Sequence, residues 1–182
     1  KQPEFTMAAR LRAFGHGHDP LEVSPKGVKS RTFSGWHDPK EVRRYYGEIT
    51  QNRRKFTTFA TTELGRRLLI EVGNRFDRSN VVEVGFGIYP ISVELNPSKL
   101  TLIDITPEHI TQVRKVMKEH PVLSPKNVRF LEANAINGPP KGVQKNPASL
   151  VIMAELLTHI PPNERVGMLK KWARHTKGFI IV

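Results

Sequence analysis

A glycine turn between two buried strands constrains this sequence more than any other feature. The segment from Val81 to Pro90 reads VVEVGFGIYP, in which β-branched residues suited to a buried strand run into Gly85 and Gly87. A second apolar run, LTLID, follows and ends on Asp104. Glycines at the end of a strand let the backbone turn and pass close to a ligand. The two runs together predict a βαβ unit that binds a nucleoside.

The carboxylate of Asp104 is the candidate ribose ligand. A buried strand over 100–105 places Asp104 at its carboxyl end, where open parallel sheets bind their ligands. An ionised carboxylate can accept hydrogen bonds from both ribose hydroxyls. Thr106 and Pro107 follow, so the alternative is that Asp104 caps the start of a helix. Capping and ribose binding can coexist in this loop.

The glycine turn is poorly suited to a dinucleotide. A pyrophosphate site needs a third glycine and a helix N-terminus aimed at the phosphates. This sequence has Ile88, Tyr89 and Pro90 in that region. The bound nucleoside is therefore expected to lack a pyrophosphate.

The turn resembles the first motif of the class I S-adenosylmethionine-dependent methyltransferases, an acidic residue followed by G-x-G. Glu83, Gly85 and Gly87 match that motif, with Phe86 between the two glycines. The resemblance implies that S-adenosyl-L-methionine is the cofactor and that these four residues serve its methionine end. It also implies that Asp104 and the neighbouring Ile105 bind the ribose side.

Later segments follow the order of that family. Residues 127–135, NVRFLEANA, resemble its third strand, which usually closes on Asp-Ala beside the adenine. Asn134 and Ala135 take those places, and an amide can still bond the adenine amino group. Residues 149–160, SLVIMAELLTHI, resemble the fourth strand and an E-x-L-x-H-I segment found in members that methylate small molecules and in some that methylate RNA.

The E-x-L-x-H-I segment places Glu155 and His159 near the methyl-transfer face, and Glu155 is also a candidate cofactor contact. Methyl transfer from a sulfonium needs a base only where the acceptor must lose a proton. For such an acceptor His159 or Glu155 is the candidate base, because an imidazole titrates in the useful range. The alternative for His159 is a structural histidine whose nitrogens are satisfied at the end of a strand. No metal site is predicted, since Thr158 stands where metal-binding RNA methyltransferases of this family carry a second carboxylate.

Positive charge is the second strong feature of the sequence. The chain has 29 Lys and Arg against 17 Asp and Glu, a formal net charge of +12. Such an excess favours a polyanionic partner, with RNA as the leading candidate. The alternative is a solvated basic surface on a protein that handles an anionic metabolite.

A V-x-x-Y-Y pattern precedes the glycine turn and contains Tyr45 and Tyr46. In the family, a helix with a similar pattern lies over the cofactor, so these tyrosines are candidate lid residues. Arg43 and Arg44 stand beside them, and basic residues interleaved with aromatic residues can hold a nucleic-acid backbone while a base stacks. The alternative is an aromatic pair packed on the core.

The segment over 56–76 predicts the core helix that precedes the first strand. Its predicted core residues are Phe59, Leu64, Leu68, Leu69 and Val72. Arg66 and Arg67 are expected to face water.

The alternation of strands and helices, strengthened by the resemblance, predicts an α/β domain over residues 38–182 with a doubly wound, mainly parallel, Rossmann-like sheet. The family adds two strands after the fifth, whereas this sequence stops at Val182, so we expect the last two strands to be missing. Residues 1–37 carry many Gly, Pro, Ser and basic residues and are predicted to form an extended basic arm. The first six, KQPEFT, read as cloning-derived residues ahead of a native Met7.

The composition excludes several classes of protein. The sequence contains no cysteine, which excludes disulfides and zinc–thiolate sites. No apolar run approaches the roughly twenty residues of a membrane-spanning helix, and no signal peptide is visible. We expect an intracellular protein that does not bind membranes, in the cytoplasm or, if the arm is an organellar presequence, in an organelle such as the mitochondrion. No sequence feature indicates an oligomeric state.

We therefore expect an S-adenosylmethionine-dependent methyltransferase whose acceptor is RNA or an RNA-associated molecule. One alternative is a small-molecule methyltransferase, which the E-x-L-x-H-I segment favours. A second is a non-catalytic, methyltransferase-like protein that binds RNA or a ribonucleoprotein, favoured by Tyr89, Asn134 and the basic arm. A third is a different nucleoside-binding enzyme that shares only the ribose contact of Asp104.

Overall fold

Five parallel strands form a single sheet in the part of the chain that the structure describes. The structure is a computed structural model that describes residues 40, 43–44, 63–121 and 125–182. The strand order is β3-β2-β1-β4-β5. The strands are β1 (Val81–Val84), β2 (Leu100–Asp104), β3 (Val128–Glu132), β4 (Leu150–Met153) and β5 (Phe179–Ile181). The predicted doubly wound, Rossmann-like sheet is confirmed, with its topological switch between β1 and β4.

Helices connect the strands on both faces of the sheet. The α-helices are α1 (Glu63–Gly73), α2 (Pro107–Glu119), α3 (Lys141–Gln144) and α4 (Pro162–Ala173). Three short 3₁₀ helices are η1 (Ser92–Leu95), η2 (Ala135–Asn137) and η3 (Leu156–His159). None of the helices in these described ranges is long and apolar enough to cross a membrane. The predicted arm over 1–37 and the lid tyrosines Tyr45 and Tyr46 lie outside the described residues.

Alternate residues of β1 face opposite layers of the fold. Val81 belongs to a core cluster that includes Leu102 and Val113. Val82 belongs to the cluster on the other face, which contains Trp172. Burying a side chain of this size contributes roughly 1.5–3 kcal/mol relative to exposure, so both faces stabilise the sheet. The apolar runs in the sequence therefore become strands buried on both sides, as expected for a parallel sheet.

The register of β1 and β2 brings the glycine turn and Asp104 together. Val84 pairs with Ile103 at the carboxyl ends of the two strands. The Gly85 N–H donates to the Ile103 carbonyl at 2.8 Å, so the ladder continues into the turn. On the other side of β2, the Ala133 N–H donates to the Asp104 carbonyl at 3.0 Å. Three segments that are distant in sequence thus end at one edge of the sheet.

Of the core residues predicted for the helix before β1, Leu69 is buried, with 5% exposed, and Phe59 lies outside the described residues. Leu64, Leu68 and Val72 are 67%, 46% and 42% exposed, whereas Arg66 is completely buried. The helix packs against η1 through Gly73, where a Cβ atom would lie only 2.8 Å from Leu95 side-chain carbons. Helical periodicity then turns the positions three, four and seven residues before Gly73 inward, and Arg66 is one of them. The prediction that Arg66 faces water is wrong, while Arg67 is exposed as expected.

Arg66 holds the backbone that follows the glycine turn. Its Nη1 donates to the Tyr89 carbonyl at 3.1 Å and its Nη2 to the Pro90 carbonyl at 2.9 Å. The guanidinium also lies over the Tyr89 ring, 3.4 Å from the centroid. Burial lowers the pKa of Arg66, and the charges of Glu94 and Glu83 act in the opposite direction. The planar guanidinium thus joins two carbonyls and one ring in a single buried contact.

We predict that Arg66→Met lowers the free energy of unfolding by about 2–4 kcal/mol, because it leaves the carbonyls of Tyr89 and Pro90 buried without their donors. The measurement is urea unfolding followed by circular dichroism. Arg67→Met removes the same charge from the next, exposed position and is expected to change stability by no more than about 0.5 kcal/mol. Equal losses in the two variants would contradict the role of Arg66.

Candidate functional site

The glycine turn adopts a backbone that favours glycine at both of its predicted positions. Gly85 has φ +69° and Gly87 has φ +59°. A Cβ atom at Gly85 would lie 2.7 Å from Cδ1 of Leu156, so the close approach of η3 also requires glycine there. At Gly87 a Cβ atom would meet no atom within 4 Å, so the space beside the turn is open. A ligand can therefore approach the backbone of the turn at Gly87, at the carboxyl edge of the sheet.

Asp104 connects the turn to the start of α2. The carboxylate is buried, with 5% of the residue exposed. Its Oδ1 accepts the Thr106 N–H at 2.8 Å and its Oδ2 accepts the Gly87 N–H at 3.1 Å. Thr106, not Asp104, occupies the N-cap position of α2. A carboxylate has about four acceptor positions, so the two oxygens can each accept one ribose hydroxyl in addition.

His109 is a site residue that the sequence analysis missed. Its Nδ1 lies 3.4 Å from Oδ2 of Asp104, and only 9% of its side chain is exposed. His109 is the third residue of α2, which begins at Pro107. The first turn of a helix that follows a strand directly can fold back over the end of that strand. This geometry is the signal that could have pointed to His109.

Glu83 binds the chain that follows the turn. One carboxylate oxygen accepts the Ile91 N–H at 2.9 Å, and the other accepts the Ser92 N–H at 2.8 Å and the Ser92 hydroxyl. Burial raises the pKa of Glu83, and the Ile91 and Ser92 donors together with the Arg66 charge act in the opposite direction. These contacts show Glu83 organising the loop. A direct contact with the methionine end of the cofactor stays a prediction.

Two further predicted cofactor residues, Phe86 and Ile105, lie on this side of the site. Phe86 is 5% exposed and packs edge-on against Phe130, with ring centroids 6.4 Å apart and an interplanar angle of 72°. Ile105 is half-buried directly after Asp104. Phe86 therefore supports the turn from inside the core, whereas Ile105 remains partly accessible beside the ribose carboxylate.

Hydrogen bonds to Asn134 and Ala135 stabilise the predicted adenine segment. Asn134 begins η2, and its Oδ1 accepts the Ile136 N–H at 3.0 Å. Ala135 is buried, and its carbonyl accepts Nε1–H of the fully buried Trp172 at 3.0 Å. The carbonyl oxygen of the Asn134 side chain keeps a second lone pair that can accept the adenine amino group.

Glu155 and His159 follow β4. Glu155 immediately precedes η3, and His159 is its last residue. Glu155 has φ +57°, an unusual conformation for a residue with a side chain, and its N–H donates to the Val182 carbonyl at 2.6 Å. Burial lowers the pKa of His159, and the charges of Glu155 and Asp104 act in the opposite direction. Those two opposing charges indicate that an imidazole and two carboxylates share one edge of the sheet. Residues with a strained backbone cluster at functional sites, and Glu155 is consistent with that pattern.

Arg43 reaches the rim of the same edge. It forms an ion pair with Glu132, the last residue of β3, at 2.6 Å, with both side chains nearly half exposed. Arg44 is exposed beside it. Of the predicted lid residues, the structure therefore places Arg43 next to the adenine side. In the described part of the chain, no group of three or more His, Asp or Glu residues is arranged to hold a metal ion.

Comparison with known proteins identifies the family. A family model described as a methyltransferase domain matches residues 81–178, more than half of the chain. A search of curated proteins found no match.

Solved structures match the fold at low sequence identity. Magnesium protoporphyrin IX methyltransferase (ChlM) from Synechocystis PCC 6803 with bound SAM is 15% identical, with a TM-score of 0.58 over 79% of this chain and 74% of that chain. The DhpI–SAM–HEP complex is 18% identical, with a TM-score of 0.59 over 80% of this chain and 63% of that chain. The glycopeptide N-methyltransferase MtfA with S-adenosyl-L-homocysteine is 14% identical, with a TM-score of 0.54 over 64% and 51%.

The family match covers the glycine turn, Asp104 and the predicted adenine segment. Structures of the same fold carry this cofactor or its demethylated product. The chain therefore belongs to the class I S-adenosylmethionine-dependent methyltransferase family, and S-adenosyl-L-methionine is its cofactor.

Proposed function

We propose that RNA is the acceptor of the methyl group that this methyltransferase transfers. The observation that carries the proposal is charge: the chain has 29 Lys and Arg against 17 Asp and Glu. A basic protein of this kind attracts a polyanion over long range. At the rim of the cofactor site the exposed Arg44 can contact phosphates of an acceptor strand, next to Arg43, which is ion-paired with Glu132.

The described residues orient the two reactants. The bound cofactor supplies an electrophilic methyl group on its sulfonium. Asp104 accepts the ribose hydroxyls, Asn134 accepts from the adenine edge, and the turn at Gly87 leaves the space that the ligand needs. Most of the rate enhancement in such an in-line displacement comes from holding donor and acceptor in near-attack geometry. The rigid strand ends supply that geometry.

His159 is suited to accept a proton from the acceptor. Its lowered pKa keeps the imidazole neutral at neutral pH, so a ring nitrogen can take the proton of a hydroxyl or of a ring N–H. Glu155 then stabilises the imidazolium that forms, because its charge favours the protonated ring. This division of roles assigns proton transfer to His159 and electrostatic support to Glu155.

A small molecule is the second candidate acceptor. Magnesium protoporphyrin IX methyltransferase and the glycopeptide N-methyltransferase MtfA, which share this fold, are named for acceptors that are not nucleic acids. The E-x-L-x-H-I segment at Glu155 is also compatible with such acceptors. A non-catalytic RNA-binding role is the third candidate, because Tyr89 is buried under Arg66 and Asn134 replaces the usual carboxylate.

To test the acceptor, the protein is incubated with S-adenosylmethionine that carries a tritiated methyl group and with one of two pools prepared from one cell extract. The pools are total RNA and the metabolite fraction below about 3 kDa. We expect label to enter RNA and to become soluble after ribonuclease treatment, since phosphates bring RNA to the basic protein. Label found only in the metabolite fraction would establish the small-molecule alternative. RNA binding without transfer to either pool would establish the non-catalytic one.

We predict that Asp104→Ala weakens binding of S-adenosylmethionine about 100-fold or more, measured by calorimetry. The change removes two charge-assisted hydrogen bonds to the ribose, each worth roughly 1.5 kcal/mol or more. Glu119→Ala removes an exposed carboxylate that pairs only weakly with Lys115 and should leave the affinity unchanged. Melting curves of both variants separate loss of binding from loss of fold. Unchanged affinity in Asp104→Ala would contradict the ribose assignment.

We predict that the imidazole of His159 titrates below the usual histidine value of about 6.5, because burial disfavours the charged ring. The measurement is the pH dependence of its ring-proton shifts by NMR, assigned with His159→Gln. Glu155→Gln should lower the midpoint further, since it removes a charge that favours protonation. A midpoint above the usual value would remove the case for a neutral base at neutral pH.

A further inference from the structure

A basic surface lies behind the adenine segment, on the face of the sheet covered by α3 and α4. The loop between η2 and α3 contains Gly138, and Gly142 lies in α3 itself; each glycine makes room for a basic side chain. A Cβ atom at Gly138 would lie 3.0 Å from Cβ of Lys171, and one at Gly142 would lie 2.6 Å from Nη1 of Arg129. Lys141 stands between these two contacts at the start of α3. Side chains from β3, α3 and α4 thus border one loop.

We name this region the α3–α4 basic surface. Its members are exposed Lys and Arg side chains on these three elements: Arg129, Lys141, Lys145, Lys170, Lys171 and Arg174. Within the described ranges, none of these six forms an ion pair with an acidic side chain. Residues 133–182 contain seven Lys and Arg against two Glu, of which Glu155 lies at the methyl-transfer edge and Glu164 in the first turn of α4. In the described part of the chain, no carboxylate therefore lies within ion-pair distance of these six side chains.

Stabilisation of the helix ends explains only part of this charge. Lys170 and Lys171 lie in the last turn of α4, where positive charge favours the helix dipole. Arg129 is on a strand, so the same effect does not explain its charge. Repulsion among like charges on three elements costs stability unless a partner supplies negative charge.

The surface is coupled to the cofactor site through two neighbouring residues of α4. Trp172 points into the core and its Nε1–H donates to the Ala135 carbonyl at 3.0 Å. Lys171 is exposed, and its Nζ donates to the Ile136 carbonyl at 2.9 Å. The basic surface and the adenine segment therefore share the short helix η2. A ligand that contacts this surface would therefore lie beside the cofactor site. It would not occupy the edge of the sheet where the methyl group is transferred.

We propose that the α3–α4 basic surface binds the phosphate backbone of the acceptor RNA away from the nucleotide that is methylated. This inference rests on the proposed RNA acceptor. Clustered Lys and Arg side chains bind phosphates without reading sequence, so the surface contributes affinity and placement, and the site at His159 selects the acceptor atom.

The test compares two triple charge reversals that change net charge equally. Lys141→Glu, Lys170→Glu and Arg174→Glu alter the surface and spare Lys171, which bonds η2. The control combines Lys99→Glu, Lys115→Glu and Lys118→Glu, which are exposed before β2 and on α2. Binding of a fluorescein-labelled 20-nucleotide single-stranded RNA is measured by anisotropy between about 50 and 200 mM salt, and binding of S-adenosylmethionine by calorimetry.

We expect the surface variant to weaken RNA binding by about tenfold or more and to reduce the slope of log affinity against log salt by about 2, as for three lost phosphate contacts on a single strand. The control variant should weaken binding by less than about threefold, and both should keep the affinity for S-adenosylmethionine. Equal weakening in the two variants would show that only net charge affects RNA binding. It would contradict the role of the α3–α4 basic surface and leave the proposed RNA acceptor standing.

No RNA binding by the unaltered protein would overturn the proposed acceptor together with the surface. Should the charge reversals impair folding, shown by reduced affinity for S-adenosylmethionine, the same positions are changed to Gln and compared in the same way. The expected order of RNA affinities is unchanged for the Gln variants. An affinity of the surface Gln variant equal to that of its control contradicts the proposal.

Discussion

Two buried charged residues fix the conformation of the loop that follows the glycine turn. Glu83 accepts the amide hydrogens of Ile91 and Ser92, and Arg66 donates to the carbonyls of Tyr89 and Pro90. Burying a charge is costly unless hydrogen bonds replace its hydration, so each charge is stable only while the loop keeps this conformation. The loop, in turn, continues from the glycine turn. The cofactor site thus depends on a network inside the core, below the surface that binds the ligand.

The parallel sheet brings the predicted site residues together. Because all five described strands run in the same direction, the ends of β1, β2 and β4 meet at one edge. That edge receives Gly87, Asp104 and His159, which are distant in sequence. Asp104 then joins the turn to α2 through the Gly87 and Thr106 amides, so its carboxylate is oriented before any ligand arrives. Such preorganisation reduces the cost of binding.

The sequence predicted most of the architecture. All five strands were expected in the observed order along the chain, because β-branched runs followed by glycine or a carboxylate are strong local signals. Asp104 and the glycine turn, both predicted to bind the cofactor, lie together at the carboxyl edge of the sheet. The errors share one cause: Arg66 and His109 owe their environments to packing. Whether an arginine on an amphipathic helix is buried depends on which face meets η1, and a close contact at Gly73 decided that.

The sequence by itself determined the type of sheet, the glycine turn, the position of Asp104 at the end of β2 and the positive charge, because each follows from residue types within a few positions of one another. Only the tertiary structure decided that Glu83 holds a loop, that His109 approaches Asp104 and that Arg129, Lys141 and Lys171 form one surface. Those relations join residues that are far apart in the chain. They arise from strand register and helix packing, and the composition of a short segment carries no information about either.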